Sequence, residues 1–152
     1  MSLLPAVVLP AAGVARIVDA AQRAYPEECC GLLIGRRTRL SSEGEVVAVS
    51  EVAESANVVA SRRRDRFEVD PALRFALIRR LRGSADRIVG HYHSHPDAPA
   101  RPSRHDADAA FEADLIWLIV SVVQGIAAGE PAAFLYDPQA GGFSRLAVSV
   151  TD

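Results

Sequence analysis

The segment Arg87-Ile88-Val89-Gly90-His91-Tyr92-His93-Ser94-His95-Pro96, followed by Ser103-Arg104-His105-Asp106, decides how this chain is read. From residue 87 to 93, Ile88, Gly90 and Tyr92 alternate with Val89, His91 and His93, which is the period of a β-strand. Side chains two apart on a strand share a face, with Cα atoms about 6.6 Å apart, so two imidazoles can converge on one ion. His91 and His95 are too far apart for this. The pair is either His91/His93 or His93/His95, and the second is preferred because Pro96 releases the chain there and a loop can bring in another ligand. Ser103 is a candidate helix N-cap with Asp106 three residues on, which sets that carboxylate in the first turn, on the face that Ser103 occupies. Two histidines and one carboxylate leave the fourth position of a zinc ion open for water, the mark of a catalytic rather than a structural site. Zinc brings the pKa of such a water towards about 7, and a carboxylate outside the ligand set can carry its proton to a leaving amine.

Outward from this segment, strand and helix patterns interleave. Residues 14–23 place Val14, Ile17, Val18 and Ala21 at helical spacing, and the pattern stops before Pro26. Residues 30–34 form a short apolar run next to Gly35, and residues 45–52 alternate, which predicts two strands. The polar stretch 55–66 predicts a loop and 67–69 a short strand. Asp70-Pro71 reads as an N-cap followed by proline at the first helical position, opening a helix that runs to Arg82 and stops at Gly83. The helix capped by Ser103 is expected to reach about Glu112. Residues 115–123 have the continuous β-branched character of a central strand. Residues 132–136 and 143–150 predict a closing hairpin across Asp137, Pro138 and Gly141-Gly142. The fold class is α/β or α+β, with a mixed sheet flanked by helices.

Composition bounds the function. With 152 residues, 49% of them hydrophobic and 24% charged, the chain is expected to form one globular domain over residues 1–152, large enough to hold its fold without disulfides or a structural metal. The longest charge-free stretches, residues 1–15 and 115–129, are shorter than the ~20 residues a membrane span needs. No basic residue precedes Arg16, so the basic part of a secretory signal is missing and a cytoplasmic protein is expected. A net charge of −2 argues against nucleic acid or anionic lipid as partner and favours a small-molecule or protein substrate. All seventeen basic residues are arginine. Cys29 and Cys30 are adjacent, which disfavours a disulfide between them, and two reduced, inert thiols are expected.

His93-Ser94-His95-Pro96, the ten residues between His95 and Asp106, and Ser103 three before that aspartate resemble the JAMM motif of the Mov34/MPN/PAD-1 zinc metalloproteases. Pro26-Glu27-Glu28-Cys29-Cys30-Gly31-Leu32-Leu33-Ile34-Gly35 resembles the segment that bears the family's catalytic glutamate. Asn57 and Phe67-Glu68-Val69-Asp70-Pro71 look like the small prokaryotic branch. The resemblance implies the JAMM/MPN, cytidine-deaminase-like architecture with a mainly antiparallel sheet. It also implies zinc on His93, His95 and Asp106, Glu28 as general acid/base and Ser103 as donor to the oxyanion. Register against Gly31 selects Glu28, and a one-residue slip would exchange it with Glu27.

Relatives of this branch imply a substrate as well, a ubiquitin-like sulfur-carrier protein cut after its C-terminal Gly-Gly. Two alternatives stand beside it: an isopeptidase acting on lysine-linked ubiquitin-like modifiers, and a metal-free binding scaffold of the same superfamily. His91 and His105 lie one step outside the ligand pattern and read as structural. The Arg62-Arg63-Arg64-Asp65-Arg66 cluster reads as a solvated loop. Nothing in the chain indicates an oligomeric state.

Overall fold

The computed structural model describes residues 3–40, 44–110 and 112–152. Among these residues the chain order is β1 (Ala6–Pro10), α1 (Ala11–Ala24), β2 (Cys30–Leu40), β3 (Gly44–Ser55), α2 (Pro71–Arg80), β4 (Arg87–Pro96), α3 (Arg104–Ala109), β5 (Ile116–Val123), β6 (Ile126–Asp137), β7 (Gly142–Leu146) and β8 (Val148–Thr151). The strands form one eight-stranded sheet in the order β7-β6-β5-β4-β2-β3-β1-β8. Antiparallel pairs join β2 to β3 and β4, and β6 to β5 and β7. Parallel pairs join β1 to β3 and β8, and β4 to β5. The mixed, mainly antiparallel α+β class expected from the sequence is the one found.

The closing hairpin is only half right. Residues 143–150 are not one strand, because the chain breaks at Ala147 into β7 and β8, which occupy opposite edges of the sheet. Two edges joined through one residue require the sheet to curl until they meet. The Ala147 carbonyl accepts the Val7 amide at 2.8 Å, on the strand next to β8. The N-terminal strand β1 was read only as an apolar stretch, since five residues with a proline at the end show no clear alternation.

The main core fills the inside of this curl. It packs Val7, Leu33, Val47, Tyr92, Leu118 and Val120 against Ile17, Ala20 and Ala21 of α1. Helix α1 buries Gly13, Ile17, Ala20 and Ala21, the one-faced spacing its sequence shows. The opposite face of the sheet carries two smaller clusters, one around Trp117, Ile119 and Phe134 and one in which Leu77 of α2 covers Leu32 and Ile34. Asp70 caps α2 by accepting the Ala72 amide at 2.9 Å, as expected. That helix ends at Arg80 rather than Arg82, and α3 at Ala109 rather than near Glu112. The expected strand at 67–69 reduces to a single bridge between Asn57 and Val69.

Strand β4 is central, and its alternation carries one extra residue. Leu33 pairs with Gly90 and Ile34 with Ile88, so Val89 is accommodated without a partner on β2. Such an insertion shifts the phase of the pleat. Ile88 therefore joins the cluster under α2, whereas Val89 and Tyr92 point into the main core. The simple alternation of Ile88 with Tyr92 fails at that point, and it holds from Gly90 onward. At Gly31, opposite Tyr92, a Cβ would run into the Ala53 carbonyl and the Tyr92 ring. Gly31→Ala is expected to lower stability by about 1–3 kcal/mol, the usual effect of overpacking. The urea midpoint measures it, and an unchanged midpoint would show that the β2–β3 pair yields at no cost.

Candidate metal centre

The bulge phase puts His91, His93 and His95 on the face of β4 turned away from the main core. His93 has Cys30 of β2 on one side and Ile119 of β5 on the other, and is fully buried. Phe67 stacks on its ring at 4.3 Å between centroids. Strand β4 continues through His95 to Pro96, three residues beyond the alternating stretch and its last histidine. Pro99 then returns under His95, and its carbonyl lies 2.9 Å from His95 Nδ1. Nδ1–H donates to that carbonyl, which turns Nε2 towards His93 and Asp106.

Asp106 arrives from the other side, in the first turn of α3. Ser103 Oγ accepts the Asp106 amide at 3.1 Å, while Asp106 Oδ2 accepts the Ser103 amide at 2.8 Å, a reciprocal capping box. The two bonds fix the carboxylate against the imidazoles. His93 Nε2 and His95 Nε2 are 3.0 Å apart, and Asp106 Oδ2 is 3.2 Å from the first and 3.0 Å from the second. Burial drives the His93 imidazole towards its neutral form. Burial by itself would raise Asp106, but attraction to His93 and hydrogen bonds from His93, His95 and the Ser103 amide outweigh it, so the carboxyl sits well below its ordinary range.

The donor set fits a zinc ion. Two ligands about 2.0–2.1 Å from a tetrahedral zinc are about 3.3 Å from each other, close to the separations found here. Among the described residues, His93, His95 and Asp106 form the group that could hold a metal ion. Of the two histidine pairs left open by the sequence, the group uses His93/His95. His91 is buried outside the group, and His105 is partly exposed, with Nε2 3.7 Å from Asp65 Oδ2.

Glu28 and Glu27 separate cleanly. Glu27 is exposed, whereas Glu28 is buried with Oε1 unpartnered among the described residues. Burial, with the negative charges of Asp106 and Asp65, pushes the Glu28 carboxyl up to about 9. Its backbone is pinned from three directions. The Glu28 amide donates to the Arg63 carbonyl at 2.6 Å, Asn57 Nδ2 donates to the Glu28 carbonyl at 3.1 Å, and the next amide, of Cys29, donates to Ser94 Oγ at 2.8 Å. Sequence reasoning passed over the positioning parts played by Ser94, Phe67 and Pro99. Ser94, lying between the two histidines, and Phe67, in the segment that resembles the prokaryotic branch, carried a signal. Both thiols are free and buried, and burial pushes Cys29 up to about 11 and Cys30 up to about 12, which leaves them inert at neutral pH.

A cavity of about 750 Å³ opens beside the group, reaching Asp106 and lined also by Phe67, Arg74, His91 and Trp117. The arrangement as a whole can hold a divalent cation, seat a chain segment next to it and move a proton at Glu28. Among the described residues, no helix is long and apolar enough to cross a membrane.

Residues 10–135 match the family of prokaryotic homologs of the JAB domain, and the chain belongs to that family. A desampylase of Haloferax volcanii is 31% identical over 96 residues, and the chain spans 63% of the length of that relative and is itself covered to 63%. A protein of Desulfitobacterium hafniense solved in solution is similar with a TM-score of 0.78 and 27% identity, covering 96% of this chain and 93% of that one. A Salinibacter ruber protein has a TM-score of 0.65 and 30% identity, covering 95% and 91%.

The raised Glu28 carboxyl makes a prediction for the metal-free protein. The folded chain keeps this proton up to about pH 9, while the unfolded chain releases it near 4.5. Stability from this group is therefore complete below the lower value and is lost as pH rises through the upper one. Glu28→Gln is expected to melt higher than wild type at pH 8 and alike at pH 4, measured by thermal unfolding in chelator. Parallel pH profiles for the two proteins would contradict the burial argument.

Proposed function

We propose that this protein is a JAMM-type zinc metallopeptidase of the cytoplasm, folded as one domain. It hydrolyses the peptide or isopeptide bond that follows the C-terminal Gly-Gly of a ubiquitin-like sulfur-carrier protein. The observation that carries the reading is the set of two imidazole nitrogens and a carboxylate oxygen 3.0–3.2 Å apart, whose Asp106 charge acts on the buried Glu28, itself with an oxygen unpartnered among the described residues. Membership of the JAB family and the likeness to a protein named desampylase support a ubiquitin-like substrate.

His93, His95 and Asp106 would hold the zinc, which when bound supplies an acidified water and a polarised scissile carbonyl. Glu28 takes the proton of the attacking water and passes it to the leaving nitrogen. The Glu28 carboxyl would be drawn down from its metal-free value by a cation held there, towards the ionised form that accepts a proton. Ser103 keeps its hydroxyl proton after accepting the Asp106 amide, and donates it to the carbonyl oxygen that gains charge. Burial of the whole group strengthens each of these interactions relative to water. The likeness to desampylase also favours a second reading, an isopeptide bond to a lysine of a modified protein.

Intact-mass spectrometry of a sulfur-carrier fusion carrying a short extension after Gly-Gly tests the reading. Chelator-sensitive cleavage directly after Gly-Gly is expected. No cleavage with one zinc per chain redirects the substrate to the isopeptide form, and no cleavage with no zinc leaves a binding scaffold. Glu28→Ala is expected to retain zinc and lose about 10²–10⁴ in turnover, the range for a lost general base. His95→Ala and Asp106→Ala are expected to lose zinc and keep the fold, checked by metal analysis and circular dichroism. Unfolding of either variant would make the metal structural.

A further inference from the structure

We propose that His91 sets specificity, by hydrogen-bonding an uncharged main-chain amide of the peptide seated in the cavity next to the His93–His95–Asp106 group. The inference rests on the peptidase reading above and adds a residue that the JAMM motif leaves unassigned.

His91 stands two residues before His93 on β4 and shares its face of the sheet, so the two rings are neighbours, with centroids 6.3 Å apart. Its ring meets Trp117 edge-on at 4.4 Å and faces Phe67 at 5.7 Å. The residue is only 8% exposed, and Nδ1 is buried with no partner among the described residues. A core histidine kept for packing would have that nitrogen satisfied by a carbonyl or hydroxyl. Here the residue lines the cavity instead.

The cavity is graded from rim to floor. Of the residues lining it, His91, Asp106 and Trp117 are buried, while Arg74 is half-buried and Asp108 and Glu112 are exposed. A chain segment bound there meets charge at the mouth and, at the bottom, one imidazole between aromatic walls beside the candidate metal ligands. A neutral imidazole offers one N–H and one lone pair, which matches the carbonyl and N–H of a peptide unit. A charged group is a poor occupant, because it would leave water for walls made of Trp117 and Phe67. Glycine lets a backbone approach such a floor most closely, since it has no side chain to hold it off. Those properties select an extended, glycine-containing tail.

His91→Phe keeps the ring and removes both nitrogens, and His91→Asn keeps a donor and an acceptor. The probe is a fluorescein-labelled hexapeptide ending in Gly-Gly, bound to the zinc-loaded protein and followed by anisotropy, together with kcat and KM on the extended fusion. The His91→Phe variant is expected to bind the probe at least tenfold more weakly and to raise KM by a similar factor, with kcat and zinc content near wild type. His91→Asn recovers part of the loss. N-methylating the probe's amides one at a time is expected to weaken wild-type binding about tenfold at one position and to leave His91→Phe unaffected.

Equal probe binding and equal KM in wild type and His91→Phe overturn the inference while the peptidase reading stands. Loss that appears as lower zinc content or a lower melting temperature, with KM unchanged, also overturns it, by making His91 a structural support. A wild-type protein that neither binds nor cleaves the glycine-ended chain overturns the inference and the reading together.

Discussion

Two imidazole nitrogens and a carboxylate oxygen held within 3.2 Å of one another in a buried site set the demand that the surrounding structure meets. Two neutral imidazole nitrogens and a carboxylate repel each other unless a cation or protons stand among them. The fold has to supply the force that keeps them together. It does so with stiff elements on both sides. His93 and His95 lie on a strand paired along both edges, and Asp106 is clamped by reciprocal bonds at the start of α3. Neither element can relax away without breaking a ladder or a cap.

The same rigidity organises the neighbouring groups. Ser94, which points to the opposite side of β4 from the two histidines that flank it, accepts the Cys29 amide and so ties the start of β2 to the site. Asn57 bonds the Glu28 and Arg66 carbonyls through Nδ2 and the Glu68 amide through Oδ1, which joins the 55–66 loop to the base of the cavity. Glu28 is thereby held buried, in an environment that raises its carboxyl. Burial raises the two thiols beside it as well. Protonated and buried, they act as packing groups.

Much of this was legible because short-range rules governed it. Residue spacing on a strand makes His93 and His95 neighbours whatever surrounds them, and the Ser103–Asp106 capping box is a local hydrogen-bond pattern. Asp70-Pro71 opened a helix for the same reason. Where the reading failed, the cause was distant. The break at Ala147 answers to the need to close both edges of a curled sheet, and the extra residue Val89 to the pairing of β4 with β2. The α3 helix stopped short of Glu112 although propensity allowed it to continue.

The sequence by itself determined the candidate ligand types, their spacing and the helix cap that presents the third, since each depends on residues no more than a few positions apart. It also determined the mixed α+β class, through apolar periods that switch between two and 3.6. Tertiary packing is what buries Glu28 and exposes Glu27, leaves His91 lining the cavity outside the His93–His95–Asp106 group, and stacks Phe67 on His93. Those outcomes depend on which surface is buried when strands far apart in the chain pair. Burial belongs to the assembled sheet, and no local pattern encodes it.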